Sequence, residues 1–271
     1  MGEVIGLIAI KGGVGKTTLA SSLSADLANN QGKKVLLIDT NYSAPNLGIH
    51  MDLLEPEKTI HDVLAGRTRL ESAVHSRFGV DVIAGRPGAG FEINPLKLRD
   101  KISRAKGLYD FIILDGSPSL NEEVLSTIIA SNHLFVVTTP DMPTLSCSMQ
   151  AAQLAKQRGK PVKGIVINKI RDPAYEISLK HIENSLDIPV VARIPDDKAQ
   201  VRALFTRIPL PIYKKRSKFS REIHNLSAAL SGKPETISFY KKFLTGFRKE
   251  EVNRQVLKED FYTRTFRSRY E

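Results

Sequence analysis

Among the 271 residues there is one cysteine, Cys147. It has no partner for an internal disulfide and cannot by itself hold an iron–sulfur cluster within one subunit, so a reducing cytoplasm is the expected compartment. No apolar run approaches the roughly 20 residues that span a bilayer. Any membrane contact is therefore expected to be peripheral. Residues 1–10 lack the basic start and small-residue cleavage site of a signal peptide and read as a buried strand running into a glycine turn. Internal repeats and low-complexity tracts are absent as well. Acid is the scarcer charge, with 29 Asp and Glu against 40 Lys and Arg and a formal net charge of +11. Such a surface attracts polyanions, whether nucleic acid, an anionic membrane or acidic partner proteins, and charge alone does not choose among them.

What is present is a regular alternation. Short runs rich in β-branched residues recur at 4–10, 35–39, 80–84, 110–115, 134–139, 164–168 and 190–194. Most are continuously apolar, as strands buried on both faces of a parallel sheet are. Helices are expected between them at 17–30, 59–65, 121–130, 145–158 and 178–186, with a last one at 217–230. The fold class is α/β, a doubly wound and mainly parallel sheet. After the last helix, Ser231-Gly232-Lys233-Pro234 is a helix stop. The chain accordingly divides into a domain of residues 1–232 and a C-terminal tail of residues 233–271.

The first strand is followed by Lys11-Gly12-Gly13-Val14-Gly15-Lys16-Thr17-Thr18 and then a helix. In a strand–loop–helix of this kind, the glycines let backbone N–H groups turn inward around phosphates. Lys16 brings a charge to the β- and γ-phosphates, and the Thr17 hydroxyl can ligate Mg²⁺. The helix dipole adds positive potential. The strict phosphate-loop pattern would place glycine where this chain has Ile10.

The form K-G-G-x-G-K-T-T resembles the deviant Walker A motif of the MinD/ParA family of P-loop ATPases. That resemblance implies ATP and ADP as ligands with Mg²⁺, and an ATP-sandwiched homodimer in which Lys11 reaches into the facing subunit's site. A second cation at the transferring phosphoryl group is what an arginine finger supplies elsewhere. Further landmarks resemble the MinD branch in the expected order. Residues 35–39 followed by Pro45-Asn46-Leu47 look like switch I, residues 59–66 match a segment common in MinD-like chains, and residues 109–115 with Gly116-Ser117-Pro118 look like a Walker B strand and switch II.

A carboxylate at the end of a buried strand needs a cation or donors to offset its desolvation, which assigns Asp115 to Mg²⁺. Asp39 joins it among the expected catalytic and metal-shell residues. By the same resemblance Asn168 reads the adenine edge, and Pro195 and Asp196 pack around the base and ribose. The family usually carries a second aspartate two residues after the first, where this chain has Asn41. A neutral amide can orient water but cannot act as a general base, so hydrolysis is expected to be slow or to need a partner that completes the site.

Two basic features remain. Tyr213-Lys214-Lys215-Arg216-Ser217-Lys218 is a solvated face, a lipid-headgroup contact or a non-specific contact for DNA phosphates. In the tail, a helix over about residues 236–249 would align Phe239, Tyr240, Phe243, Leu244 and Phe247 on one face beside Lys241, Lys242, Arg248 and Lys249. That is the composition of an interfacial helix, similar to the C-terminal membrane-targeting helix of MinD, and equally of a face packed on the domain or on a partner. The leading expectation is an ATPase that cycles on the inner face of the cell membrane to position division, motility or envelope machinery, with a ParA-like partition ATPase on DNA as the alternative. Nitrogenase-iron-protein and iron–sulfur-carrier relatives need cysteine pairs, and the tyrosines of the tail are too sparse for a tyrosine-kinase tail.

Overall fold

The computed structural model describes residues 2–88, 92–160, 162–232, 252–257 and 261. Eight strands form one sheet: β1 (Glu3–Ile8), β2 (Val35–Thr40), β3 (His75–Arg77), β4 (Val80–Ile83), β5 (Phe111–Gly116), β6 (His133–Thr138), β7 (Val162–Ile170) and β8 (Val190–Pro195). Their order is β3-β4-β2-β5-β1-β6-β7-β8, and every pairing is parallel except β3 with β4. The helices are α1 (Lys16–Asn29), α2 (Leu47–His50), α3 (Ile60–Leu64), α4 (Leu98–Ile102), α5 (Glu122–Ala130), α6 (Met142–Gln157), α7 (Leu179–Leu186), α8 (Ala199–Phe205), α9 (Leu210–Tyr213) and α10 (Lys218–Leu230).

The doubly wound, mainly parallel architecture is as expected, and the alternation of side chains explains it. Ile5 and Leu7 of β1, Leu37 of β2 and Phe135 of β6 join Leu19, Leu23, Ile223 and Leu226 from α1 and α10 on one face. Their neighbours Leu36 and Ile38 meet Ile60, Val63, Leu98 and Ile102 on the other, where Ile8 and Val136 meet Val124 and Ile128 of α5. Strands covered on both sides cannot afford polar alternation, so they read as unbroken apolar runs.

The differences from expectation have local causes. β1 ends at Ile8 instead of residue 10, because the chain there turns into the glycine loop. α6 starts three residues ahead of its expected first turn: Asp141 accepts from the Thr144 N–H as N-cap, and Pro143 stands in the first turn, where its missing N–H is not needed. β3 is short, polar and at the sheet edge, so no apolar period announced it.

Part of the C-terminal region lies back on the body. The Asn253 N–H donates to the Val190 carbonyl at 3.0 Å, Arg254 Nε donates to the Val191 carbonyl at 3.0 Å, and the Arg254 guanidinium pairs with Glu222 of α10. Leu257 and Phe261 are buried in the α1/α10 core. The Phe261 ring lies 6.3 Å from Phe111 and 4.8 Å from His133, the first residues of β5 and β6. The described residues of this strap thus meet the sheet at the end where β5, β6 and β8 begin, opposite the glycine loop. The amphipathic segment expected at 236–249 lies outside the described residues.

Candidate functional site

The loop between β1 and α1 is open where phosphates would lie. Gly13 and Gly15 have φ of +77° and +93°, values that side chains with a Cβ rarely adopt. A Cβ on Gly13 would meet nothing within 4 Å, while one on Gly15 would lie 2.3 Å from Asn168 Nδ2. With Gly12 and Val14 completing the turn, Lys16, Thr17 and Thr18 open α1, whose first turn contains no acid. Lys16 is buried at 6% exposure. Burial lowers its pKa, and the opposing charge of Asp115 counters part of that shift.

Asp39 and Asp115 stand opposite each other in the β2–β5 ladder. Both carboxyl groups are held above the usual carboxylate range. For Asp39 burial is the main cause and the neighbouring Asp115 adds to it; for Asp115 burial outweighs the lowering by Thr17 and Lys16. Asp39 already has three donors: Oδ1 accepts the Asn41 N–H at 3.0 Å, and Oδ2 accepts the N–H groups of Asn46 at 3.2 Å and Leu47 at 3.0 Å. It shapes the loop that follows β2.

Asp115 is different. Both its oxygens are buried with no partner in good hydrogen-bonding geometry, while the nearby Thr17 hydroxyl, close enough to lower the Asp115 pKa, donates to Asn46 Oδ1 at 3.0 Å. Two naked carboxylate oxygens beside a hydroxyl whose lone pairs are free fit a hard divalent cation. Among the described residues no group of three or more His, Cys, Asp or Glu side chains could hold a metal. Mg²⁺ would therefore be completed by water and phosphate oxygens, its ordinary habit in phosphoryl transfer. Thr17 and Asp115 would hold it, with Asp39 behind them, and once bound it would neutralise charge on the phosphates.

Lys11 lies on the opposite flank of the loop from this pair. Its ammonium donates to Thr144 Oγ1 at 3.0 Å and sits 3.6 Å from Asp141 Oδ1, with 43% of the side chain exposed. Burial would raise the Asp141 pKa, but hydrogen bonds from Thr139 and Thr144 and the charge of Lys11 hold it below the usual range. Lys11 thus rests in its own subunit on the N-cap of α6. An open cleft of about 360 Å³ lies on this side, lined by Lys11, Gly12, Gly13, Asp141, Arg171 and Tyr175 among others. The Lys16, Asp39 and Asp115 group is not part of its lining.

The remaining expected residues have visible partners. Asn168 is buried and donates its amide to the Val14 carbonyl at 2.8 Å, bracing the loop from below. Asp196 pairs with Arg171 at 2.6 Å, and its N–H bonds the Ile170 carbonyl at 2.9 Å, with Pro195 paired to Ile170 in the ladder. Asn41 donates its amide to the Ala44 carbonyl at 2.6 Å, which ties it into the loop between Asp39 and Asn46.

Sequence reasoning missed several members. Asn46, placed in switch I by the sequence but given no role there, bridges Thr17 to that loop. Lys169, at φ +57°, donates to the Gly13 carbonyl at 2.7 Å. Glu123 accepts the Ser43 N–H at 2.8 Å and also its hydroxyl, while its other oxygen is buried without a partner. Lys169 adjoins Asn168 and could have been suspected; Glu123 and the Asp141–Thr144 rest for Lys11 had no local signal.

A family model described as an AAA domain matches residues 2–158. An uncharacterized ATP-binding protein of Methanocaldococcus jannaschii is 30% identical over 258 residues, spanning 91% of this chain and 97% of its own. The structure of the cell division ATPase MinD of Pyrococcus furiosus superposes with a TM-score of 0.80 at 30% identity, covering 84% of this chain and 97% of that one. The chain belongs to the MinD/ParA family of P-loop ATPases. A second MinD structure, the septum site-determining protein of Pyrococcus horikoshii complexed with Mg-ADP, gives a TM-score of 0.79 at 29% identity over 84% of this chain and 95% of that one. Within that family frame the two lysines of the loop are physically distinct: Lys16 is sequestered beside Asp115, whereas Lys11 is half-exposed on the cleft.

Proposed function

We propose that the chain is a MinD-like dimerisation switch that binds ATP with Mg²⁺, pairs with a second copy across the nucleotide, hydrolyses ATP to ADP and so cycles on a surface to position other machinery. The observation that carries this reading is the state of Lys11. A lysine needed only to bind phosphate in its own subunit would be drawn in like Lys16. Lys11 instead rests on a half-exposed acceptor, Asp141, at the rim of an open cleft, where the anionic phosphates of a facing subunit would compete for it. Lys16 and Lys11 then converge on one triphosphate from two chains, Thr17, Asp39 and Asp115 serve the Mg²⁺ shell, and Asn168, Pro195 and Asp196 serve the base and ribose.

With Asn41 in place of a carboxylate, the switch hydrolyses slowly or awaits an activating partner protein. Residues 1–232 act as the ATPase domain. The tail supplies an attachment segment near 236–249 that holds the inner face of the cell membrane weakly as one copy and firmly as two. Among the described residues no helix is long and apolar enough to cross a membrane, so attachment in this reading is peripheral. A second reading, a ParA-like cycle on DNA, is favoured by the exposure of Lys214, Lys215, Arg216 and Lys218. Sedimentation of the full-length protein with anionic vesicles, in ATP and in ADP, tests the cycle; equal binding in the two states would refute it.

A further inference from the structure

α8 presents an apolar ridge to solvent. Val201, Leu204 and Phe205 are 73%, 41% and 88% exposed. At 100° per residue these three fall within about a 100° arc. Ala199 and Ala203, on the opposite side of the helix, are the residues packed on the core. The same helical geometry places Lys198 and Arg202 along one margin of the ridge. Scattered exposed apolar residues need no explanation, but three on one face of one helix do.

From the start of α8 the chain carries one sign of charge, between Asp197 before it and Glu222 after it. Residues 198–221, from the start of α8 through α9 into α10, contain eight Lys or Arg and no Asp or Glu. All eight are exposed. Among the described residues only Arg207 of this group forms an ion pair, with Asp52 at 3.4 Å.

That charge limits what can cover the ridge. A second copy of the same surface, paired about a two-fold axis, would set cations against cations. The chain's own segment 239–249 carries Lys241, Lys242, Arg248 and Lys249 and no acid, so it is repelled too. Duplex DNA would reward the cations, yet an aliphatic and aromatic ridge offers phosphates no donor. An anionic bilayer rewards both halves, taking apolar side chains at the acyl boundary and cations among the headgroups.

We propose that the α8 ridge and the basic run after it form an anionic-lipid contact on the ATPase body itself, separate from the tail. This rests on the surface-cycling reading and names the body's share of the contact.

The test uses full-length protein with Mg²⁺-ATP and vesicles of phosphatidylcholine, alone or with about a third phosphatidylglycerol, at low salt where such contacts are strongest. The variants are a ridge triple (Val201→Ser, Leu204→Ser, Phe205→Ser), a run triple (Lys214→Gln, Lys215→Gln, Arg216→Gln) and a tail double (Phe243→Ser, Phe247→Ser). All the substituted body residues are exposed except for the two-fifths-exposed Leu204, so folding and basal ATP turnover should persist. The lipid concentration for half-binding should rise roughly tenfold or more in the ridge triple. In the run triple, at about fivefold per cation, it should rise roughly a hundredfold.

Body variants that bind like wild type, while the tail double loses binding, would overturn this proposal and leave the surface cycle standing. Loss of duplex-DNA binding by the run triple with vesicle binding intact would overturn it in favour of nucleic acid. A wild type that ignores anionic vesicles in ATP would sink both the proposal and the membrane form of the cycle, while dimerisation would still be read separately by sedimentation.

Discussion

Replacing Leu257 or Phe261 by alanine should destabilise a domain whose sheet β1–β8 and helices α1–α10 lie before residue 233 in sequence. Leu257 is fully buried and Phe261 is 6% exposed, both in the core built by α1 and α10. Large-to-small changes at such sites cost roughly 2–5 kcal/mol for leucine and 3–5 for phenylalanine. A chain of this size loses about 2–4 °C of melting temperature per kcal/mol, so Leu257→Ala should melt about 4–20 °C early. The loss has a ceiling, because the strap can do no worse than detach. Once Leu257→Ala has released it, Phe261→Ala has little left to remove, and the double variant should fall well short of the sum of the singles. Arg254→Ala belongs to the same unit: it abandons the Val191 carbonyl and leaves the half-buried Glu222 with the Arg193 N–H at 3.0 Å and the Asn225 amide at 3.5 Å. The assay is thermal and urea denaturation of the full chain, with midpoints and m-values for the singles and the double. Midpoints within about 1 °C of wild type for both singles would refute the packing argument.

Three further outcomes follow from the site and its surroundings. Asp141→Asn keeps an acceptor for the α6 cap but removes the charge that Lys11 rests on. A half-exposed pair is worth roughly 0.2–1 kcal/mol, so ATP-dependent dimerisation should tighten about two- to fivefold by ultracentrifugation, and a weaker dimer would contradict the resting role of Asp141. Asn41→Asp should speed single-turnover hydrolysis about tenfold or more by restoring a base, while losing the bond to Ala44 and roughly 1 kcal/mol of stability; no acceleration would dismiss the amide as the cause of slow turnover. His50 is held neutral by burial, which lowers its pKa from an ordinary 6.5 to about 4. The unfolded chain therefore takes up a proton that the folded one refuses, and stability falls as pH drops from 6.5 towards 4. At pH 5 the loss is about 2 kcal/mol, and denaturation of His50→Gln should show a correspondingly flatter pH profile; parallel profiles would contradict it.

How legible these features were depended on how far apart in sequence the partners lie. The central strands announce themselves because Leu36, Leu37 and Ile38 are each buried, on alternating faces. β3 gave no such signal, since its residues are half or fully exposed. α8 and α9 were not expected either: they are a turn or two each, α9 held by packing on α1 and α10 and α8 on α9, and they lack a long amphipathic period of their own. The phosphate loop is local, so its roles could be assigned from consecutive letters. The partners of Lys11 lie more than a hundred residues away, at Asp141 and Thr144. Glu123 is no different, for its hold on Ser43 exists only after β2 and α5 come together. The strap is the same case at larger scale, because Leu257 and Phe261 stand in a charged stretch whose sequence does not reveal the core they enter.

The central claim is that Lys11 acts on a triphosphate held by another copy of the chain. Sedimentation velocity with Mg²⁺-ATP should show a dimer for wild type, a monomer in ADP, and a monomer for Lys11→Ala in both. A wild type that stays monomeric in ATP, with Lys11→Ala turning over nucleotide at the same rate, would contradict it.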